Sequence, residues 1–187
     1  MNKYHIILAS KSPRRQELLK GLDIDFEVHV IDGIDESFPH TLEAEQVPVY
    51  ISQKKADAYD IKPGDMLLTA DTVVVLDNEI LGKPKNEEQA VEMLHKLSGR
   101  THTVTTGVTM KTCDKQKSFP VTTKVTFRDL TDEEINYYVT KYRPFDKAGA
   151  YGVQEWIGYI AVTRLEGSYF NVMGLPVQRI YDELIKF

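Results

Sequence analysis

Apolar positions along this chain follow two periods, one near two residues and one near three to four, and the two interleave from end to end. Ile6, Ile7, Leu8 and Ala9 predict a short buried strand. Ser10, Ser12 and Pro13 then mark the entrance of a helix whose buried stripe is Leu18, Leu19 and Leu22. Phe26 to Ile31 reads as a second strand, and Val47 to Ala58 as a helix with Val49, Ile51, Ala56 and Ala58 among polar positions. Met66 to Leu76 is a long apolar strand pattern, with Asp77-Asn78 as a hairpin turn into Ile80-Leu81. Asn86 caps a helix through Leu97 that has Ala90, Met93, Leu94 and Leu97 on one face and Gly99 as its stop. Thr101 to Met110 and Val121 to Phe127 alternate as strands, and Thr131-x-x-Glu134 is a capping box opening a helix to about Tyr142. Tyr159 to Arg164 and Tyr169 to Met173 read as strands, and Pro176 starts a last helix. Strands outnumber helices while the two interleave, so the fold class is α/β or α+β around a mixed sheet.

Composition narrows the function classes without naming one. A chain of 187 residues, 42% hydrophobic and 27% charged, is an ordinary globular protein of one domain or two closely packed lobes. Its net charge of −5 argues against general nucleic-acid binding and leaves room for a local basic pocket in an acidic body. No apolar run approaches the ~20 residues that span a membrane, and the N-terminus lacks the layout of a signal peptide. The single cysteine, Cys113, excludes an internal disulfide, suits a reducing cytosol and reads as inert.

Five features carry candidate chemistry. Arg14 and Arg15 fall in the first turn of the predicted first helix, where free N–H groups and the dipole favour negative charge. Each misplaced cation costs roughly 0.3–1 kcal/mol, and a docked phosphate would reverse that sign. Two solvated surface arginines are the alternative. Asp71 interrupts an apolar strand pattern, where a carboxylate is costly unless it is paired, hydrogen-bonded or bound to metal. Its alternative is a strand kink or edge facing solvent. The acidic turn Asp32-Gly33-Ile34-Asp35-Glu36 offers oxygen ligands suited to Mg²⁺ or Mn²⁺, although acidic turns are usually just solvated. Lys55, Lys83 and Lys147 each stand beside a turn or small residues, and Gly82 and Pro84 fix the backbone around Lys83.

Lys147-Ala-Gly-Ala-Tyr-Gly-Val-Gln154 packs small residues beside Tyr151, which can stack, and Gln154, which can read an amide-like edge such as a pyrimidine's. A tight turn between strands explains the same stretch. The five histidines have no zinc-site spacing, and neither a P-loop, a dinucleotide fingerprint nor a Gly-x-Ser-x-Gly elbow is present. The residues alone reach metal-assisted phosphate-ester or anhydride chemistry.

Taken in order, the segments resemble the Maf family of nucleoside triphosphate pyrophosphatases, once named for inhibition of septum formation. The resemblance rests on Ala9-Ser10-x-Ser12-Pro13-Arg14-Arg15-x-Glu17-Leu18-Leu19, Asp35-Glu36, Lys55-Ala56, Ala70-Asp71-Thr72, Gly82-Lys83-Pro84 and Leu97-Ser98-Gly99-Arg100. It continues through Lys147-Ala148-Gly149-Ala150-Tyr151-Gly152-x-Gln154 and Gly174-Leu175-Pro176. It implies one Maf-like domain over 1–187, with a mixed twisted sheet, flanking helices and two dependent lobes around a cleft, folded like the inosine triphosphate pyrophosphatases.

The implied reaction is metal-assisted attack of water at the α-phosphate of a nucleoside triphosphate, releasing the monophosphate and pyrophosphate. The resemblance makes Asp71 the proton acceptor; by their chemistry Glu36 and Asp71 are the metal carboxylates, with Asp71 left open between taking the proton and holding the metal. Ser10, Ser12, Arg14, Arg15, Lys55, Thr72, Lys83 and Gln154 become substrate and specificity positions. The Arg14, Thr72 and Gln154 combination is that of the branch acting on dTTP and UTP, with modified pyrimidine nucleotides as a further class. The branch acting on 7-methyl-GTP carries an aromatic residue before the second arginine and Asp-Gln in place of Asp71-Thr72. Glu155 and Trp156 receive no role. Also implied are a divalent cation, Mg²⁺ or Mn²⁺, a cytoplasmic homodimer and a link to septum formation. A non-catalytic, nucleotide-binding division regulator is the competing expectation. The carboxylates Glu36 and Asp71 weigh against it, because simple anion binding would avoid them.

Overall fold

The computed structural model describes residues 3–187. Strands β1 (His5–Leu8), β2 (Phe26–Val28), β3 (Asp65–Leu76), β4 (Glu79–Leu81), β5 (Thr101–Lys111), β6 (Gln116–Phe127) and β7 (Val162–Glu166) form one mixed sheet. Its order is β2-β1-β3-β5-β6-β7, with β4 paired antiparallel to β3. Strand β1 runs parallel to both β2 and β3, so the expected mixed α/β class holds. The helices are α1 (Pro13–Lys20), α2 (Val47–Asp57), α3 (Glu87–Leu97), α4 (Asp132–Tyr142), α5 (Trp156–Ala161), α6 (Tyr169–Met173) and α7 (Val177–Leu184). None of them is long and apolar enough to cross a membrane among the described residues.

Helix starts fall where the side chains dictate. Ser12 Oγ accepts from Arg15 N, Asn86 Oδ1 from Gln89 N, and Thr131 with Glu134 completes a reciprocal capping box. Of the two last stretches that read as strands, Tyr159 to Arg164 is strand only from Val162, its first three residues closing α5, and Tyr169 to Met173 is helical throughout. At Trp156–Ala161, Ile157 and Ala161 are both fully buried at helical spacing. Gly158 is closed over by Val153, whose carbonyl oxygen would lie 1.8 Å from an added Cβ. At Tyr169–Met173 the short helix is fixed by tertiary bonds: Asn171 Nδ2 donates to Val104 O at 3.1 Å and Thr123 Oγ1 at 3.0 Å. A period-two pattern over five or six residues does not report such contacts.

Two compact units divide the chain. The first comprises the chain through Thr72, Thr106–Val121 and Gly174–Phe187. Part of its core is Ala56, Tyr59 and Leu67, packed with Ile7, Ala9, Ile34 and Ile61. The second comprises Val73–Thr105 and Thr122–Met173. Its core gathers Leu94, Leu97, Phe127, Ile135, Tyr138 and Ile157, all but closed to solvent.

Candidate active site

In the first unit, α2 is held against the sheet by a glycine and a chain of hydroxyls. A Cβ on Gly107 would lie 2.2 Å from Pro48 C and Val49 N, so only glycine lets the helix backbone come this close to β5. Ser52 Oγ lies 2.8 Å from Thr109 Oγ1, and Thr69 Oγ1 donates to Ser52 O at 2.6 Å. This packing brings Lys55, in the last turn of α2, to the middle of β3.

Lys55 Nζ lies 2.9 Å from Asp71 Oδ1 and 2.9 Å from Glu36 Oε1. The side chains of Lys55 and Asp71 are largely buried, whereas Glu36 is half exposed. Asp71 is therefore neither a kink nor a solvent-facing edge. It is a strand-interior carboxylate paired with the Lys55 ammonium, which Glu36 shares. Among the described residues no three His, Cys, Asp or Glu side chains converge as a metal cage. A pair of carboxylates still fits Mg²⁺ or Mn²⁺, which take one or two of them and complete their shell with phosphate oxygens and water.

The two arginines are placed differently. Arg15 Nε donates to Gly174 O at 2.8 Å, Nη1 to Ala70 O at 2.8 Å and Nη2 to Thr72 Oγ1 at 3.1 Å. Its fork thus grips the residues on both sides of Asp71. Burial pushes its pKa down, while the Asp71 carboxylate opposes that shift and the neighbouring Arg14 adds to it. Arg14 is half buried on the same turn. Thr72 Oγ1 also lies 2.9 Å from Thr106 Oγ1, a partner that its position in the sequence did not advertise. Ser10 is buried and its Oγ accepts from Ser12 N at 3.2 Å, so both serines shape the entrance of α1.

In the second unit, Lys83 is exposed on the turn after β4. That turn is tied to the Gln154 loop, because Gly149 N donates to Gly82 O at 3.1 Å. Gly149 (φ +66°) has the left-handed backbone that glycine favours, and Ala150 (φ +58°) shares it. Gln154 Oε1 is buried with no hydrogen-bond partner among the described residues. Lys147 Nζ is paired with Asp146 Oδ1 at 2.8 Å and Glu155 Oε1 at 3.0 Å. Glu155, to which the sequence assigned nothing, is thereby part of this loop's framework. Gly107 was equally silent, although an isolated glycine inside a strand pattern signals a close backbone approach.

The family described as Maf-like protein matches residues 5–187. The dTTP/UTP pyrophosphatase of Phocaeicola vulgatus is 57% identical over 188 residues, covering all of this chain and 97% of its own. That of Bacteroides thetaiotaomicron is 55% identical with the same coverage. Among solved structures, the Ham1 protein of Staphylococcus aureus superposes with a TM-score of 0.53 at 19% identity, covering 96% of this chain and 98% of its own, a likeness of fold alone. With the family match running through nearly every residue, the chain belongs to the Maf-like family.

Proposed function

We propose that this chain hydrolyses dTTP and UTP to the nucleoside monophosphate and pyrophosphate. The observation that carries the reading is Asp71, a largely buried carboxylate inside a strand, facing Lys55 at 2.9 Å with Glu36 on the same ammonium. The relatives named dTTP/UTP pyrophosphatase support the substrate class.

Hydrolysis of a phosphoanhydride needs neutralised phosphate charge, an in-line water and a base. Water attacks the α-phosphorus, the bridging bond to the β-phosphate breaks, and pyrophosphate leaves. Asp71 accepts the proton of the attacking water. Lys55 and Arg14 neutralise phosphate oxygens, with Ser10 and Ser12 presenting the start of α1. Lys83 adds a further cation. Arg15 holds Ala70 and Thr72, and so the aim of Asp71 between them. Glu36 and Asp71 would hold the divalent cation, which when bound supplies charge neutralisation and a more acidic water. Arg14, Thr72 and Gln154 select the pyrimidine. The Gln154 carbonyl, buried and without a donor among the described residues, suits the N3–H of thymine or uracil.

The reading places the enzyme in the cytoplasm as a homodimer acting on free nucleotides. Light scattering at twice the monomer mass checks the oligomer. Incubation with dTTP is expected to yield dTMP and pyrophosphate, with turnover lost to a chelator and restored by Mg²⁺ or Mn²⁺. Asp71→Asn is expected to abolish turnover with an unchanged circular dichroism spectrum. Orthophosphate as the first product, or near-normal activity in that variant, contradicts the proposal.

A further inference from the structure

We infer that Tyr138, Lys147 and Glu155 form a buried brace that positions Gln154, and that substrate selectivity depends on its integrity. The inference rests on the reading of Gln154 as a base-contacting residue. Tyr138, in the buried face of α4, is fully enclosed. Its hydroxyl accepts from Gly152 N at 3.0 Å and donates to Glu155 Oε2. The other carboxylate oxygen, Oε1, takes Lys147 Nζ at 3.0 Å. One phenol therefore holds the chain two residues before Gln154 and, through the carboxylate, one residue after it.

The backbone closes the same turn, since Glu155 N donates to Gly152 O at 2.9 Å. Gly152 has no room for a side chain: its Cβ would lie 2.9 Å from Glu155 Cδ and 3.0 Å from Lys147 Cε. Burial, followed by the Glu155 carboxylate, pushes the Tyr138 hydroxyl far above its usual range. It stays protonated and remains the donor.

Gln154 is the residue that this framework leaves unused. Its neighbours' polar groups are bonded to one another, whereas Gln154 Oε1 is buried with no partner among the described residues. A buried acceptor without a donor is costly, so its placement points to a donor arriving with the ligand. A brace of charged groups and a phenol keeps that oxygen from relaxing toward another partner.

The consequence is read as selectivity. Thymine presents N3–H as a donor and cytosine presents N3 as an acceptor, so the ratio of kcat/KM for dTTP over dCTP reports the aim of the Gln154 carbonyl. Tyr138→Phe keeps the ring and its stack on Tyr142 while removing both hydroxyl bonds. It is expected to lower the ratio about fivefold, the effect of one hydrogen bond. Glu155→Gln, which disrupts the other end of the brace, is expected to lower it similarly and keeps the inference testable if Tyr138→Phe does not fold.

Gln154→Ala separates the two readings. If it leaves the ratio unchanged, the role of Gln154 itself fails. If it lowers the ratio while folded Tyr138→Phe and Glu155→Gln do not, the brace is overturned. Adding Tyr138→Phe to Gln154→Ala is expected to change the ratio no further. A merely structural role would reduce the two kcat/KM values in equal proportion and leave the ratio at its wild-type value.

Discussion

A single ammonium joins two carboxylates at the candidate site. Lys55 serves two carboxylates, and Asp71 has it as a neighbour at 2.9 Å inside a strand. Lys55→Met is expected to lower kcat about a hundredfold or more, the scale of losing one preorganised charge, with KM changing less. Steady-state kinetics with dTTP checks this. The two arginines differ in their surroundings. Arg15 donates to two carbonyls and a hydroxyl, a geometry that a lysine ammonium does not reproduce. Arg15→Lys is expected to cost about 2 kcal/mol of stability, because buried acceptors lose their donors, and to lower kcat with it. Arg14→Lys is expected to act chiefly on KM. Urea unfolding alongside kinetics separates them. An Arg15→Lys protein of wild-type stability and raised KM would return Arg15 to the phosphates.

Elements decide which residues meet, and here the sequence was legible unevenly. Strand β3 and helices α3 and α4 declared themselves through apolar periodicity and caps. Asp71 stood out because it broke such a pattern. The positions of Lys55, Asp71 and Glu36 were named in advance, yet their sharing of one ammonium depends on how α2 lies on the sheet. That is a tertiary fact, set by Gly107 against Pro48 and by hydroxyl pairs. The end of α5 and all of α6 read as strand because a closed-over glycine and the bonds of Asn171, rather than local periodicity, select these helices. Nothing local to Arg15 reveals that Gly174, far along the chain, supplies a carbonyl to its guanidinium. The packing of α2 makes its own prediction. Gly107→Ala puts a methyl group into the helix backbone and is expected to destabilise by roughly 1–3 kcal/mol, while lowering kcat by shifting Lys55. A Gly107→Ala protein of full stability and activity would mean that Lys55 is not positioned this way.

For the whole molecule, stability should depend on pH through one buried imidazole. His102 is enclosed by the edges of Phe127 and Tyr151, with Nε2 at 2.7 Å from Tyr151 Oη and Nδ1 without a hydrogen-bond partner among the described residues. Protonation would add a buried N–H with no acceptor, and burial lowers the pKa from 6.5 to about 4. The unfolded chain therefore binds this proton more readily, so stability falls as pH drops below the unfolded value and levels off near the folded one. From about pH 7.5 to about pH 5 the loss is about 2 kcal/mol, or roughly 5 °C in melting temperature. Glu134, held by Arg128 at about 2, contributes in the same direction, but only as pH falls below its ordinary 4.5. The two windows can thus be separated. His102→Gln removes the titrating group and is expected to flatten the dependence above about pH 5 while leaving the acid limb below it. Melting curves for both proteins across this range make the comparison. An equal fall in the variant would place the proton uptake elsewhere.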